Sequence, residues 1–188
     1  MAARRVGLLV LALIATLGAA APSVKLRNLA GQLVDPLQPS PPAKAIALLF
    51  VSTECPYSNR SAPEIQRVVA EFEPKGVRFW LIYPNPTDTP ELVRAHLKAF
   101  RYPGIALRDP AHALVKIAGP TVTPEAAVFR NGTVVYRGRI DDRFVALGQE
   151  RPAPTKHDLQ DALTDTLAGK PVTHATTQAF GCFIADLK

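Results

Sequence analysis

LLFVSTECPYSNRSAP, residues 48–63, is the stretch of sequence that decides the fold. An apolar run from Ile46 to Val51 predicts a buried strand, and the segment from Ile65 to Phe72 has helical spacing. Cys55 lies at the junction between the two. At such a junction, free backbone N–H groups and the positive end of the helix dipole stabilise a thiolate, the reactive form of cysteine. The first hypothesis is therefore that Cys55 has a chemical role.

The N-terminal residues have the pattern of a secretory signal. Arg4 and Arg5 precede an apolar run from Val6 to Leu17, which small residues follow. This run is short for a membrane-spanning helix, which needs roughly 20 residues, so an uncleaved anchor is the less favoured alternative. We predict a signal peptide at 1–21, one domain at 22–169 and a C-terminal tail at 170–188. The protein is then exported, either periplasmic or secreted, with no stable membrane span after cleavage.

The charges and cysteines exclude some classes of function. The formal net charge is +6, but the basic residues are scattered rather than interleaved with aromatics, so no nucleic-acid partner is predicted. The chain has two cysteines, Cys55 and Cys182, which in an exported protein can form a pair. Neither has a second cysteine close in sequence to complete a zinc site. We therefore predict no metal and no cofactor.

The rest of the chain predicts an α/β fold with the element order β-α-β-α-(β)-α-β-β-α. Continuous apolar runs favour strands buried on both faces, and Asn131-Gly132 is a strong hairpin signal. The predicted architecture has three layers, with a central mixed sheet, a C-terminal antiparallel hairpin and flanking helices. The predicted strands are 45–51, 77–83, 105–107, 126–130 and 133–140, and the last helix ends at Gly169.

Three landmarks resemble the thioredoxin superfamily, in particular its exported, peroxiredoxin-related redoxin branch. Residues 55–58 read CPYS, a C-P-x-S version of the thioredoxin-type C-x-x-C motif. Pro63 matches the proline that kinks the active-site helix, although a helix that starts later would also accept it. Thr123-Pro124 matches the cis-proline loop that faces the active-site cysteine, with an ordinary trans turn as the alternative. The resemblance implies a thiol-disulfide oxidoreductase with Cys55 as the nucleophilic thiolate.

The sequence also departs from that family. Ser58 stands where a dithiol oxidoreductase has its second cysteine, so a disulfide within the motif is impossible. Leu49 replaces the buried acid of many thioredoxins. Ser52 fits the peroxiredoxin pattern three residues before the cysteine, but Leu48 replaces the proline of that pattern. Peroxidase activity is therefore an alternative that the motif leaves unsupported.

Cys182 is the candidate for the resolving thiol. The 13 residues from Gly169 to Cys182 reach roughly 40 Å when extended, enough to cross one face of the domain. Two alternatives stay open at this point. The pair can be a structural staple, or Cys182 can remain free or pair between chains.

Residues 139–143, RIDDR, follow the predicted hairpin and return to the end of the sheet that carries Cys55. We predict that Arg139 or Arg143 stabilises the thiolate, and that Asp141 or Asp142 orients the arginine or relays a proton. A solvated loop is the alternative. His96 and His157 have polar neighbours on predicted helices and are predicted to be exposed.

The function predicted from these residues is an exported thiol-disulfide oxidoreductase whose substrate is a protein thiol or disulfide, or a small peroxide, with a redox partner protein. One alternative is a copper-binding assembly factor of the cytochrome oxidase type, with copper held by Cys55, Cys182 and a histidine. Asn59 stands in place of the second cysteine of that family's motif. Another is a non-catalytic partner-binding domain stapled by the two cysteines. The predicted site consists of Cys55, Ser58, Thr123, Pro124, Arg139, Asp141 and Cys182.

Overall fold

The computed structural model describes residues 22–39 and 41–185, so the predicted signal peptide lies outside the described residues. In chain order, the helices and strands are β1 (Leu26–Arg27), β2 (Leu33–Val34), β3 (Ala45–Phe50), α1 (Pro56–Phe72), β4 (Val77–Tyr83), α2 (Pro90–Phe100), β5 (Ile105–Arg108), α3 (Ala113–Ala118), β6 (Val122–Thr123), β7 (Glu125–Arg130), β8 (Thr133–Gly138), β9 (Phe144–Ala146), β10 (Gln149–Glu150), α4 (Asp158–Leu167) and β11 (Cys182–Phe183).

The core of the molecule is a five-stranded mixed sheet with the strand order β5-β4-β3-β7-β8. Strands β3, β4 and β5 are parallel, whereas β7 is antiparallel to β3 and β8 is antiparallel to β7. In the turn between β7 and β8, Asn131 and Gly132 have φ of 51° and 78°, the left-handed conformation that Asn-Gly adopts readily. The predicted mixed sheet and hairpin are confirmed.

Strand β3 is buried on both faces, as its continuous apolar sequence predicts. Ala45, Ala47 and Leu49 contribute to the core on one face, which α1 and α4 cover. The intervening residues Ile46, Leu48 and Phe50 contribute to the core on the other face, which α3 covers. The sheet and the two sets of helices therefore form the predicted three layers.

Helix α1 begins directly after Cys55 and has Pro56 in its first turn. Pro63 lies inside this helix, so the alternative of a later helix start is wrong. A proline there cannot donate a backbone hydrogen bond to the carbonyl of Asn59, which weakens the helix ladder one turn after the cysteine.

The segment after α4 is bound to the sheet. Arg137 donates its backbone N–H to the carbonyl of Ala175 (2.9 Å), and Thr177 donates to the carbonyl of Arg137 (3.1 Å). Further on, β11 pairs with β6 in antiparallel register, and Ile184 is buried in the core with 4% of its surface exposed. The sequence from 170 onward therefore crosses from the edge strand β8 to the loop before β7.

Within residues 22–39 and 41–185, no helix has both the length and the apolar character that a membrane span requires.

Arg139 follows β8 and forms a two-pronged ion pair with Asp158 at the start of α4. Its Nε donates to Oδ2 at 2.7 Å, and its Nη2 donates to Oδ1 at 3.2 Å. The Asp158 side chain is only 5% exposed, so solvent screens this pair weakly. The pair ties the end of the hairpin to the helix that covers the sheet.

We expect Asp158→Ala to lower the free energy of unfolding by about 2 kcal/mol, because it removes two charge-assisted hydrogen bonds. Asp161→Ala is the matched control, because Asp161 is an exposed carboxylate in the first turn of the same helix. The control should cost at most about 1 kcal/mol through the helix dipole. Urea denaturation followed by circular dichroism measures both values, and equal losses would contradict a structural role for the ion pair.

Candidate active site

Cys55 lies at the N-cap of α1, directly opposite the loop that precedes β7. Its side chain is 1% exposed, and its Sγ donates a hydrogen bond to the carbonyl oxygen of Thr123 at 2.9 Å. The Thr123–Pro124 peptide bond is cis, as predicted. The structure therefore brings Cys55, Thr123 and Pro124 together.

Cys182 reaches the same loop from the C-terminal segment. In the pairing of β11 with β6, Cys182 lies opposite Thr123 and Phe183 lies opposite Val122. The backbone N–H of Ile184 extends this pairing by donating to the carbonyl of Thr121 at 3.1 Å. Both cysteines are free thiols, and their side chains are close enough for each to shift the pKa of the other. Residues 127 positions apart in the sequence thus form one dithiol site.

Gly181 permits this close approach. A Cβ atom at this position would overlap the carbonyl oxygen of Thr123 and lie 3.2 Å from the nitrogen of Pro124. Glycine is the residue that allows one backbone to lie this close to another. The residue before Cys182 therefore determines how closely the second thiol can approach the first.

Ser58 completes the surroundings of Cys55. It is fully buried, and its Oγ accepts a hydrogen bond from the backbone N–H of Ser52 at 3.3 Å. The hydroxyl of Tyr102 donates to the carbonyl of Ser58 at 2.6 Å and fixes this turn of the helix. The backbone N–H and the hydroxyl of Ser58 lie close enough to the Cys55 thiol to lower its pKa.

The pKa values of the two thiols are shifted in opposite directions. Burial by itself raises the pKa of Cys55, but hydrogen bonds from Cys182, Ser58 and Thr123 outweigh it, so the pKa is lowered overall. Burial, together with the hydrogen bond to Cys55 and the charge on that residue, raises the pKa of Cys182 to about 12. Of the two thiols, Cys55 is therefore the one that ionises at the lower pH.

The RIDDR segment, residues 139–143, returns to the same end of the sheet as the dithiol. Arg139 and Asp141 line a small cavity together with Pro124. The hydrogen bonds of the segment, however, are directed into the fold. Arg139 binds Asp158, and the Asp141 carboxylate accepts the backbone N–H of Arg143 at 2.9 Å. The roles predicted for Arg139 and Asp141 in thiolate stabilisation or proton transfer stay predictions.

Asp142 of the same segment fastens the loop before α4. Its two carboxylate oxygens accept hydrogen bonds from the backbone N–H and the hydroxyl of Thr155, each at 2.6 Å. Burial opposes ionisation, but these bonds and one from the Lys156 backbone lower its pKa to about 2. Asp142 is therefore an ionised anchor for the loop.

Glu125, directly after Pro124, was not predicted as a site residue. Its carboxylate accepts the backbone N–H groups of Thr121 at 2.9 Å and Val122 at 3.4 Å, and Arg137 Nε lies 3.6 Å from it. It thereby holds the loop that faces Cys55. The signal for it in the sequence is a lone acid at the start of the apolar run after Pro124, in TPEAAVF.

The prediction that His96 is exposed is wrong. His96 is buried, with Nδ1 hydrogen-bonded to the Tyr83 hydroxyl at 2.8 Å and Nε2 to the Asn59 side chain at 2.7 Å. Burial lowers its pKa to about 4. His157 is partly exposed and contacts Glu64 at 2.9 Å. Within the described ranges 22–39 and 41–185, no three or more His, Cys, Asp or Glu side chains are grouped so that they could hold a metal ion.

Solved structures share this architecture, although no protein-family model and no curated protein matches the sequence. An uncharacterised conserved protein from Geobacillus kaustophilus is 28% identical, with a TM-score of 0.74 over 89% of this chain and 90% of that one. A hypothetical protein from Sinorhizobium meliloti is 27% identical, with a TM-score of 0.75 over 90% of this chain and 94% of that one.

A secreted Mycobacterium tuberculosis disulfide oxidoreductase, homologous to Escherichia coli DsbE, is 19% identical, with a TM-score of 0.52 over 78% of this chain and 96% of that one. At this identity the likeness concerns the fold. The chain has a thioredoxin-like α/β fold. The narrower peroxiredoxin-related branch stays a prediction.

We expect Ser58→Ala to raise the pKa of Cys55, because the substitution removes one of the hydrogen bonds that favour the thiolate. The matched control is Ser61→Ala, one turn further along the same helix and also buried. The ultraviolet absorbance of the thiolate, titrated against pH, gives the pKa in each variant. If both substitutions leave the titration where it is in the parent protein, the Ser58 hydroxyl does not stabilise the thiolate.

We expect Gly181→Ala to separate Cys182 from Cys55, because the added methyl group would overlap the Thr123 carbonyl. The equilibrium constant for forming the Cys55–Cys182 disulfide against glutathione should fall at least about tenfold, a change of about 1.4 kcal/mol. Gly148→Ala is the control for a methyl group without a steric clash: its φ of 75° strains an alanine backbone, but no atom lies within 4 Å of the site of its Cβ. A Gly181→Ala protein that forms the disulfide as readily as the control would contradict the steric argument.

Proposed function

We propose that the protein is an exported thiol-disulfide oxidoreductase in which Cys55 is the nucleophile and Cys182 is the resolving thiol. The observation that carries this proposal is the placement of both thiols against the Thr123–Pro124 loop, Cys55 through its hydrogen bond to Thr123 and Cys182 through the pairing of β11 with β6, with opposite pKa shifts. The expected substrate is a disulfide in another protein. Export is supported by the leader-like pattern of residues 1–21.

The first step uses the ionised thiol. The Cys55 thiolate attacks one sulfur of the substrate disulfide, and the other sulfur leaves as a thiolate that takes up a proton. Cys55 is then joined to the substrate through a mixed disulfide. The hydrogen bonds from Ser58 keep the attacking sulfur ionised and oriented at the start of α1.

The second step uses Cys182. Once Cys55 has lost its negative charge, one cause of the raised pKa of Cys182 is gone, so this thiol can ionise more easily. Its thiolate attacks Sγ of Cys55, the substrate leaves as a second thiolate, and a Cys55–Cys182 disulfide forms. The substrate has gained two electrons, which the two cysteines have lost.

Ser58 accounts for the position of the second thiol. A cysteine at residue 58 would resolve the mixed disulfide from within helix α1, as in a C-x-x-C motif. Here residue 58 contributes a hydroxyl that stabilises the Cys55 thiolate, and the resolving sulfur comes from β11 across the loop. The two functions of a C-x-x-C pair are thus divided between two segments.

We expect Cys55→Ser to reduce the rate of disulfide reduction at least about 1,000-fold, because the nucleophile is lost. Cys182→Ser should retain the first step but accumulate the mixed disulfide at Cys55. The measurement combines the rate of thiol release from a peptide disulfide with mass analysis of the protein. Ser61→Ala serves as the control with both cysteines intact. Parent-like turnover by Cys182→Ser, without accumulation of an adduct, would refute the resolving role.

A further inference from the structure

The two cysteines of the proposed redox pair differ in their exposure to solvent. Cys55 is 1% exposed, lying under the Thr123 carbonyl and against the start of α1. Cys182 is only partly buried and lies on the outermost strand of the site. Its neighbour Phe183 is 76% exposed. A molecule that approaches the site from solvent, with β11 paired to β6, therefore contacts Cys182 before Cys55.

Open space lies beside this strand. Gly181 and Phe183, the residues on either side of Cys182, line a cavity of about 540 Å³ together with Glu125, Arg137 and the exposed Leu147. Cys182 does not line this cavity, which therefore offers room for a partner beside β11 and not a path to the sulfur itself. Because both cysteines already lie at Thr123, joining them does not require Cys55 to move to the surface. The same difference in access is therefore expected in the oxidised protein.

We propose that the thiol that regenerates the enzyme attacks Sγ of Cys182, so that electrons enter the protein through the C-terminal strand and not through Cys55. This inference rests on the Cys55–Cys182 disulfide of the proposed function. It concerns the step in which the Cys55–Cys182 disulfide is reduced again. In this step Cys182 is the residue that is joined covalently to the reductant.

The step is balanced as a thiol-disulfide exchange. The reductant's thiolate forms a bond to Cys182 Sγ, the bond between Cys182 and Cys55 breaks, and its electron pair leaves with Cys55 as a thiolate. A second thiol of the reductant then attacks the reductant's own sulfur in this mixed disulfide. Cys182 leaves as a thiolate and takes up a proton, and the reductant departs as a disulfide. The reductant is therefore a dithiol, in which two thiols act in turn.

The chemistry of the leaving group favours the same direction. A thiol with a lower pKa leaves a disulfide faster. Attack on Cys182 expels Cys55, whose thiolate Ser58 helps to stabilise at the start of α1, whereas attack on Cys55 would expel Cys182, whose pKa is raised by burial. Access and leaving-group stability therefore select the same sulfur.

Reduced glutathione, a monothiol, tests the proposal because it can form the mixed disulfide but carries no second thiol to release it. The oxidised full-length chain is mixed with glutathione, quenched in acid at short times, digested with pepsin and analysed by mass spectrometry. We expect adducts on Cys182 to exceed those on Cys55 at least about tenfold at the earliest times. Adducts mainly on Cys55 would overturn the inference.

The leaving-group argument has its own test. Ser58→Ala should slow glutathione's reduction of the disulfide by about threefold for each unit that the pKa of Cys55 rises. Ser61→Ala, as the matched control, should keep the parent rate. If the raised pKa of Cys55 leaves the rate unchanged, Cys55 is not the leaving group.

The two proposals fail in different ways. If oxidation never joins Cys55 and Cys182, which the intact mass and peptide map report directly, the proposed function fails and the inference with it. If the disulfide forms and glutathione adds to Cys55, only the inference fails.

Discussion

The pairing of β11 with β6 is the interaction on which the site depends. Each strand has two residues, yet the pairing lays Cys182 opposite Thr123 and brings its thiol against Cys55. Two features outside the short ladder hold it in place. Ile184 is buried in the core beyond one end, and Gly181 allows the backbones to approach closely at the other. Without this pairing, Cys55 would be a single thiol at a helix start, with Ser58 as its nearest partner in the motif.

The loop that pairs with β11 is itself held in place by Glu125 and Arg137. Glu125 binds two of its backbone N–H groups, and Arg137 lies next to Glu125 while also binding the backbone of the C-terminal segment. One acid and one arginine therefore connect the loop opposite Cys55 to the segment that carries Cys182. Since the Cys55 thiol donates to the carbonyl of Thr123 in this loop, the position of the loop determines the geometry of the whole dithiol.

Local patterns in the sequence predicted most of the fold, and long-range partners account for what they missed. The buried run of β3, the Asn131-Gly132 hairpin and the start of α1 at Cys55 each depend on a few neighbouring residues. The burial of His96 depends on Tyr83 and Asn59, which lie on other elements and leave no trace in the polar spacing of α2.

The same limit applies to the site. Cys55, Thr123 and Pro124 were predicted together because family motifs mark them. Cys182 was included only because the segment that follows α4 is long enough to cross one face of the domain. The position at which the C-terminal segment pairs could not be predicted, because a strand of two residues has no periodicity. Its polar approach, residues 170–179, also resembles a solvated tail. Arg139 lies near the site, as the hairpin topology predicted. Its guanidinium, however, forms an ion pair with Asp158. The sequence could not show this, because the partner of a charged side chain depends on contacts in the folded structure.

A structural staple and a working redox pair impose different demands on the same two cysteines. A disulfide between residues 127 positions apart would stabilise the fold by about 4–5 kcal/mol, mainly by restricting the unfolded chain. A staple is needed most where the native segment is otherwise loose. Here the C-terminal segment is paired with β6, bound to β8 and anchored by Ile184, all through contacts other than a disulfide. The hydrogen bonds to the Cys55 thiolate stabilise the reduced state further, which opposes permanent oxidation. A site in which both the segment and the thiolate are stabilised before any disulfide forms is better suited to cycling between two states than to remaining in one.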